Sequence, residues 1–64
     1  MLEYSITDLF RLTTSELVKL DYEMASVLSW LPYESENYTI ALLNQRLIRR
    51  ELGRRDLERK FTPL

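Results

Sequence analysis

SELVKLDYEMASVLSWL, Ser15–Leu31, decides how this chain folds. Leu17, Leu20, Met24, Val27 and Leu31 recur at alternating intervals of three and four, with Leu28 beside them. That spacing sets them on one stripe of an α-helix. Just upstream, Thr13 and Glu16 stand in a T-x-x-E pattern. In such a pair each side chain satisfies the other residue's backbone N–H, so the helix opens at Thr14. Pro32 disfavours helical geometry at the residue before it and ends the helix there. The stretch therefore predicts a helix over 14–31, about 27 Å long at 1.5 Å per residue.

Toward the N-terminus, Ser5 and Asp8 form a weaker cap of the same kind. ITDLFRL then predicts a short helix over 6–12 carrying Ile6, Leu9, Phe10 and Leu12. Ile6, Phe10 and Thr13 share register with the later stripe, so one continuous helix also fits. The hydroxyl triplet Thr13–Thr14–Ser15 favours a break, because short polar side chains compete for backbone hydrogen bonds.

Toward the C-terminus, PYESEN reads as a turn in which Ser35 or Asn37 caps the next helix. That helix is predicted over 36–60. Gly53 lies within it at a cost of about 1 kcal/mol against Ala. A C-cap at Gly53 is the alternative, but RRDLERKF still reads as helix beyond it. Pro63 cannot extend a helix. One Gly and two Pro are too little punctuation for a many-stranded sheet. The fold class expected is all-α: two or three helices forming a hairpin, in one small domain spanning 1–64.

A chain of 64 residues buries only about 60% of the surface its unfolded form exposes. Folds of that size often need a disulfide, a metal or a partner chain. This one has no Cys and no His. Disulfides are thus excluded, and zinc-type sites lose their preferred ligands. No cofactor or metal is expected, which leaves well-packed helices or a second chain. MLEYSITD lacks the basic-then-apolar order of a signal peptide. No apolar run approaches the roughly 18–20 residues of a membrane span. The expectation is a cytoplasmic protein with no membrane contact.

The net charge of −1 is unevenly spread: residues 1–44 carry −5 and residues 45–64 carry +4. NQRLIRRELGRRDLERK, Asn44–Lys60, holds seven of the nine basic residues. On a helical wheel Ile40, Ala41, Leu43, Leu47, Ile48 and Leu52 fill one half, with Arg46, Arg49 and Gln45 opposite. Carboxylates are interleaved as Glu51–Arg55, Arg54–Glu58 and Asp56–Lys60, each four apart. Such pairs support an exposed helix by about 0.2–0.5 kcal/mol each. A salt-bridged solvent face is thus preferred to a nucleic-acid grip, which needs arginines free of nearby carboxylates.

The helix over 14–31 has a second, lesser apolar row of Val18, Tyr22 and Ala25. The last helix is longer than its neighbour, so Leu52, Leu57 and Phe61 overhang. The short first helix or a second chain could cover them. Two apolar faces on one helix belong in a bundle, and a homodimeric helical bundle is expected. The acidic first half of one chain would lie along the basic last helix of the other. The core and dimer interface is assigned to Leu17, Leu20, Met24, Val27, Leu31, Ile40, Leu43, Leu47, Ile48 and Leu52. Asn44 falls in the apolar half with Glu51 seven residues on. It fixes register as a buried polar residue or sits at the rim; the sequence leaves both open. Trp30, Tyr33 and Tyr38 plug the end of the bundle, or serve as aromatic anchors for a partner.

Without His or Cys, the common general base and thiol nucleophile are missing, and no Gly-rich phosphate loop exists. No catalytic, cofactor-binding or metal residues are assigned, and an enzyme is not expected. From Met1 to Phe61, MLEYSITDLFRLTTSELVKLDYEMASVLSWLPYESENYTIALLNQRLIRRELGRRDLERKF resembles the small early proteins of lambdoid bacteriophages encoded between the exonuclease and excisionase genes. The resemblance covers nearly the whole chain and rests on length and wording, without a motif, so no site residue is carried over. It implies a non-enzymatic protein made early in infection, in the host cytoplasm, favouring lytic over lysogenic development. Two functions then compete. One is a dimeric interaction protein that binds a host or phage protein. The other is a small DNA-binding transcription regulator. Arg46, Arg49, Arg50, Arg54 and Arg55, with Trp30 and Tyr33, are the candidate contacts.

Overall fold

Ser5 and Thr13 start the first two helices by the same reciprocal device. The Ser5 hydroxyl accepts from the Asp8 N–H at 3.1 Å, and the Asp8 carboxylate accepts from the Ser5 N–H at 3.4 Å. Thr13 and Glu16 repeat the exchange at 3.1 and 2.9 Å. These bonds hold the Glu16 carboxyl below its ordinary range. The computed structural model of the chain describes residues 1–61, the Phe61 side chain aside. Its elements are α1 (Ile6–Phe10), α2 (Thr14–Trp30) and α3 (Glu36–Phe61), with no strand among the described residues. The fold is all-α, as the periodicity predicts.

The boundaries differ from the sequence reading at the ends. α1 stops at Phe10, short of the predicted residue 12, because Thr13 must be extended to cap α2. Arg11 and Leu12 make the turn, and the Leu12 N–H donates to the Leu9 carbonyl at 3.2 Å. The helices are therefore broken, not continuous. Leu31 leaves the helix with ψ 143°, as a residue before proline does. Its N–H still donates to the Val27 carbonyl at 3.1 Å.

Ser35, not Asn37, caps α3: its hydroxyl accepts from the Tyr38 N–H at 3.1 Å. Gly53 lies inside unbroken helix without a positive φ, which removes the C-cap alternative. The expectation that Pro63 ends α3 lies outside the described residues, as does the burial of Phe61.

α2 and α3 form an antiparallel hairpin. Its sense is fixed by contacts of Asp21 with Arg49 and of Thr14 with Arg55. Leu9, Leu17, Met24, Ala41 and Ile48 form the buried core. Tyr4, Leu12, Leu20, Val27, Leu28, Leu31, Leu47 and Leu52 pack half-buried around it. Burying a side chain of this kind fully stabilises by about 1.5–3 kcal/mol. Of the residues assigned to the core, Leu43 is the exception. It is 41% exposed on the outer side of α3. Gln45, assigned to the polar half, is instead buried. The true core stripe is rotated from the predicted one, toward Gln45 and away from Leu43.

With 26 residues against 17, α3 overhangs α2. α1 does not cover that overhang: it lies beside α3 near Leu47, Glu51 and Arg54, before the level at which Thr14 opens α2 against Arg55. Leu57 remains 56% exposed.

Candidate interaction surface

Asn44 is fully buried at the middle of α3. Its amide nitrogen donates to the Leu2 carbonyl at 2.8 Å, and its oxygen accepts from the Tyr4 N–H at 2.9 Å. The carboxamide thus pairs with an extended backbone segment as a neighbouring strand would. The rim alternative for Asn44 is removed, and the segment that it holds in register is the chain's own N-terminus. Within the same segment the Met1 ammonium donates to Asn37 Oδ1 at 3.3 Å.

Glu51, two turns further along α3, is 5% exposed and takes two arginines. Arg54 meets it in a fork, Nε to Oε1 and Nη2 to Oε2, both at 2.8 Å. Arg55 Nε donates to Oε2 at 2.7 Å. The Arg54 hydrogen bonds, opposed by burial and reinforced by Arg55, hold the Glu51 carboxyl down to about 2. Glu51 in turn raises the Arg54 guanidinium. Arg55 then reaches out of α3 to the Leu9 carbonyl at 3.2 Å, the Phe10 carbonyl at 3.5 Å and the Thr14 hydroxyl at 3.2 Å. α1 has no basic residue in its own last turn. Arg55 supplies the cation that the C-terminal end of α1 favours, beside the Leu12 N–H already on the Leu9 carbonyl. Arg54 stacks over the Phe10 ring, 5.3 Å from its centroid.

The basic stretch is therefore largely internal wiring. The three expected pairs, Glu51–Arg55, Arg54–Glu58 and Asp56–Lys60, all form. Arg59 adds a contact to Asp56, and the Asp56 carboxyl is lowered by Lys60 first and Arg59 second. Arg49 pairs with Asp21 of α2 at 3.0 Å, a bond between helices that no in-helix spacing announces. Of the five candidate arginines, Arg46 and Arg50 are the two without an ion pair among the described residues.

The apolar surface gathers in distinct places. Ile6, Phe10 and Leu47, with Arg50, Glu51 and Arg54, line a cleft of about 360 Å³ between α1 and α3. Val18 and Tyr22 on α2 are 41% and 73% exposed, and Ala25 is exposed beside them. Trp30 and Tyr33 stand at the hairpin's turn with most of their surface open. They do not plug that end. Only Tyr38 is half-buried, its ring tilted against Tyr33 with centroids 5.1 Å apart.

The described residues contain no group of three or more acidic side chains able to hold a metal ion. No helix among them is long and apolar enough to cross a membrane. Comparison with family models, curated proteins and solved structures gives no match for this chain.

Proposed function

We propose that the chain is a non-enzymatic helical interaction protein that works as a homodimer and acts by binding another protein. The observation that carries this reading is the balance of apolar surface. Among the described residues five hydrophobic side chains are buried, while large ones stand exposed on all three helices, Phe10, Tyr22 and Leu57 among them. Small monomers rarely leave contiguous apolar patches open without a partner for them.

The twin belongs on α2. Ser15, Val18, Tyr22, Ala25 and Ser29 run along its outer side at intervals of three and four, all exposed and none charged. Two copies meeting through this row bring no like charges together, and the small residues let two helices approach closely. On its resemblance to the lambdoid early proteins, the partner is a host or phage protein met in the host cytoplasm. Its capture there favours lytic development. DNA binding by α3 is the lesser reading, supported by Arg46 and Arg50 alone. Arg49, Arg54 and Arg55 already hold carboxylates.

Light scattering coupled to gel filtration tests the assembly. The chain is expected at twice its 7.7 kDa mass at tens of micromolar, and Tyr22→Asp at the monomer mass with helicity retained. A fully helical monomer of the unmodified chain at that concentration defeats the homodimer.

A further inference from the structure

α3 offers solvent a second surface whose chemistry is unlike that of the α2 row. Leu43, Arg46, Arg50, Gly53 and Leu57 follow at intervals of three, four, three and four, all exposed. That spacing sets them in one line along a helix, the pattern by which one helix lies on another. Leu43 is 41% exposed and Leu57 56%. At Gly53 the space a Cβ would occupy is open, with no atom within 4 Å. Alongside runs the cleft of Ile6, Phe10 and Leu47, with Arg50 on its rim.

Charge selects the occupant. The other cations of α3 each pair with a carboxylate within the chain: Arg49 with Asp21, Arg54 with Glu51 and Glu58, Arg55 with Glu51, Arg59 and Lys60 with Asp56. Arg46 and Arg50, one turn apart, meet no carboxylate among the described residues. A second copy docked through this line, parallel or antiparallel, would set arginines against arginines, and like charges in an interface are costly. A DNA backbone would satisfy the two arginines but leave Leu43, Leu57 and the cleft open. A helix with an apolar stripe flanked by carboxylates satisfies every part. Its apolar side chains fill the cleft and cover both leucines, its acids meet Arg46 and Arg50, and Gly53 admits its backbone closely.

We propose that the α1–α3 face docks an acidic amphipathic helix of another protein, held by Arg46 and Arg50 beside the Ile6–Phe10–Leu47 cleft. This rests on the reading of the chain as an interaction protein. It is independent of the homodimer, which uses the uncharged row on α2.

The test uses the full chain and three labelled probes followed by fluorescence anisotropy. They are an amphipathic peptide with leucines flanked by glutamates, its Glu→Gln analogue and its Glu→Lys analogue. The acidic peptide is expected to bind about tenfold or more tighter than the Gln analogue. In the double variant Arg46→Glu/Arg50→Glu, its helicity checked by circular dichroism, that preference is expected to reverse toward the Lys peptide. Equal binding of the acidic and Gln peptides, no binding of the acidic peptide, or an unchanged preference in the double variant overturns the proposal. So does duplex DNA bound through the same two arginines in place of the acidic peptide. Light scattering on the same samples separates the two readings. A monomer that keeps its peptide preference removes only the homodimer. A dimer without the preference removes only this docking face.

Discussion

At the residue scale, Asn44 and Glu51 are polar groups whose burial is matched bond for bond. Asn44 holds the Leu2 carbonyl and the Tyr4 N–H. Truncating it leaves those backbone groups and a small void behind, and each buried unsatisfied polar group costs about 1–3 kcal/mol. Asn44→Ala is therefore expected to lower stability by about 2 kcal/mol in urea titration. The Tyr4 amide should exchange with solvent faster than in the parent chain, while amides at the centre of α2 keep their relative protection.

Glu51 carries a pH dependence of definite sign. Its folded-state value of about 2 lies below the ordinary 4.5, so the unfolded chain binds the proton first as pH falls. The stabilisation is complete above about 4.5 and is lost as pH drops toward 2. Acid unfolding followed by circular dichroism should show that loss, and Glu51→Gln should show a shallower one. Equal slopes in the two proteins would count against the paired arginines as its source. The apolar-half position of both residues was legible in the wheel. Their partners were not, because Asn44 bonds to segments 40 and 42 residues away and no local spacing encodes them.

At the scale of the elements, the sequence carried most of what the structure uses. Thr13–Glu16 and Ser5–Asp8 form the reciprocal caps that their spacing predicts, and Pro32 ends α2 by restricting Leu31. These are interactions within four residues, where sequence and geometry are almost one statement. The rotation of the α3 core face was harder to read. Leu43 and Gln45 sit near the two borders of the stripe, and which border turns inward depends on where α2 and the N-terminal segment press. Gly53 gives the clearest prediction here. It is helical, exposed and without a neighbour at the Cβ position. Gly53→Ala should stabilise the fold by about 0.5–1 kcal/mol, read as a raised thermal midpoint, since Ala loses less backbone freedom on folding. A lowered midpoint would mean that something unseen approaches α3 at that turn.

At the scale of the molecule, the hairpin is 46 Å long but only 20 and 16 Å across. A body so narrow has little interior, and the small buried cluster of Leu9, Leu17, Met24, Ala41 and Ile48 among the described residues reflects that. A partner that binds only the folded chain adds stability by mass action. If the α2 row joins two copies, folding and pairing are linked, so the thermal midpoint must climb with protein concentration. A hundredfold increase favours the paired state by about 2.7 kcal/mol. In a chain of this size such a change corresponds to a rise of about 5 °C or more, even when shared between two copies. Tyr22→Asp places a charge at the middle of the row, where it would face its counterpart in the twin. Its midpoint should lie lower and stay flat across the same concentrations. Arg46→Glu/Arg50→Glu, altered on the other surface, should keep the parent's slope. Calorimetry across that series distinguishes the two faces without any knowledge of the partner. A midpoint independent of concentration in the unmodified chain would mean that the α2 row is covered by something other than a twin.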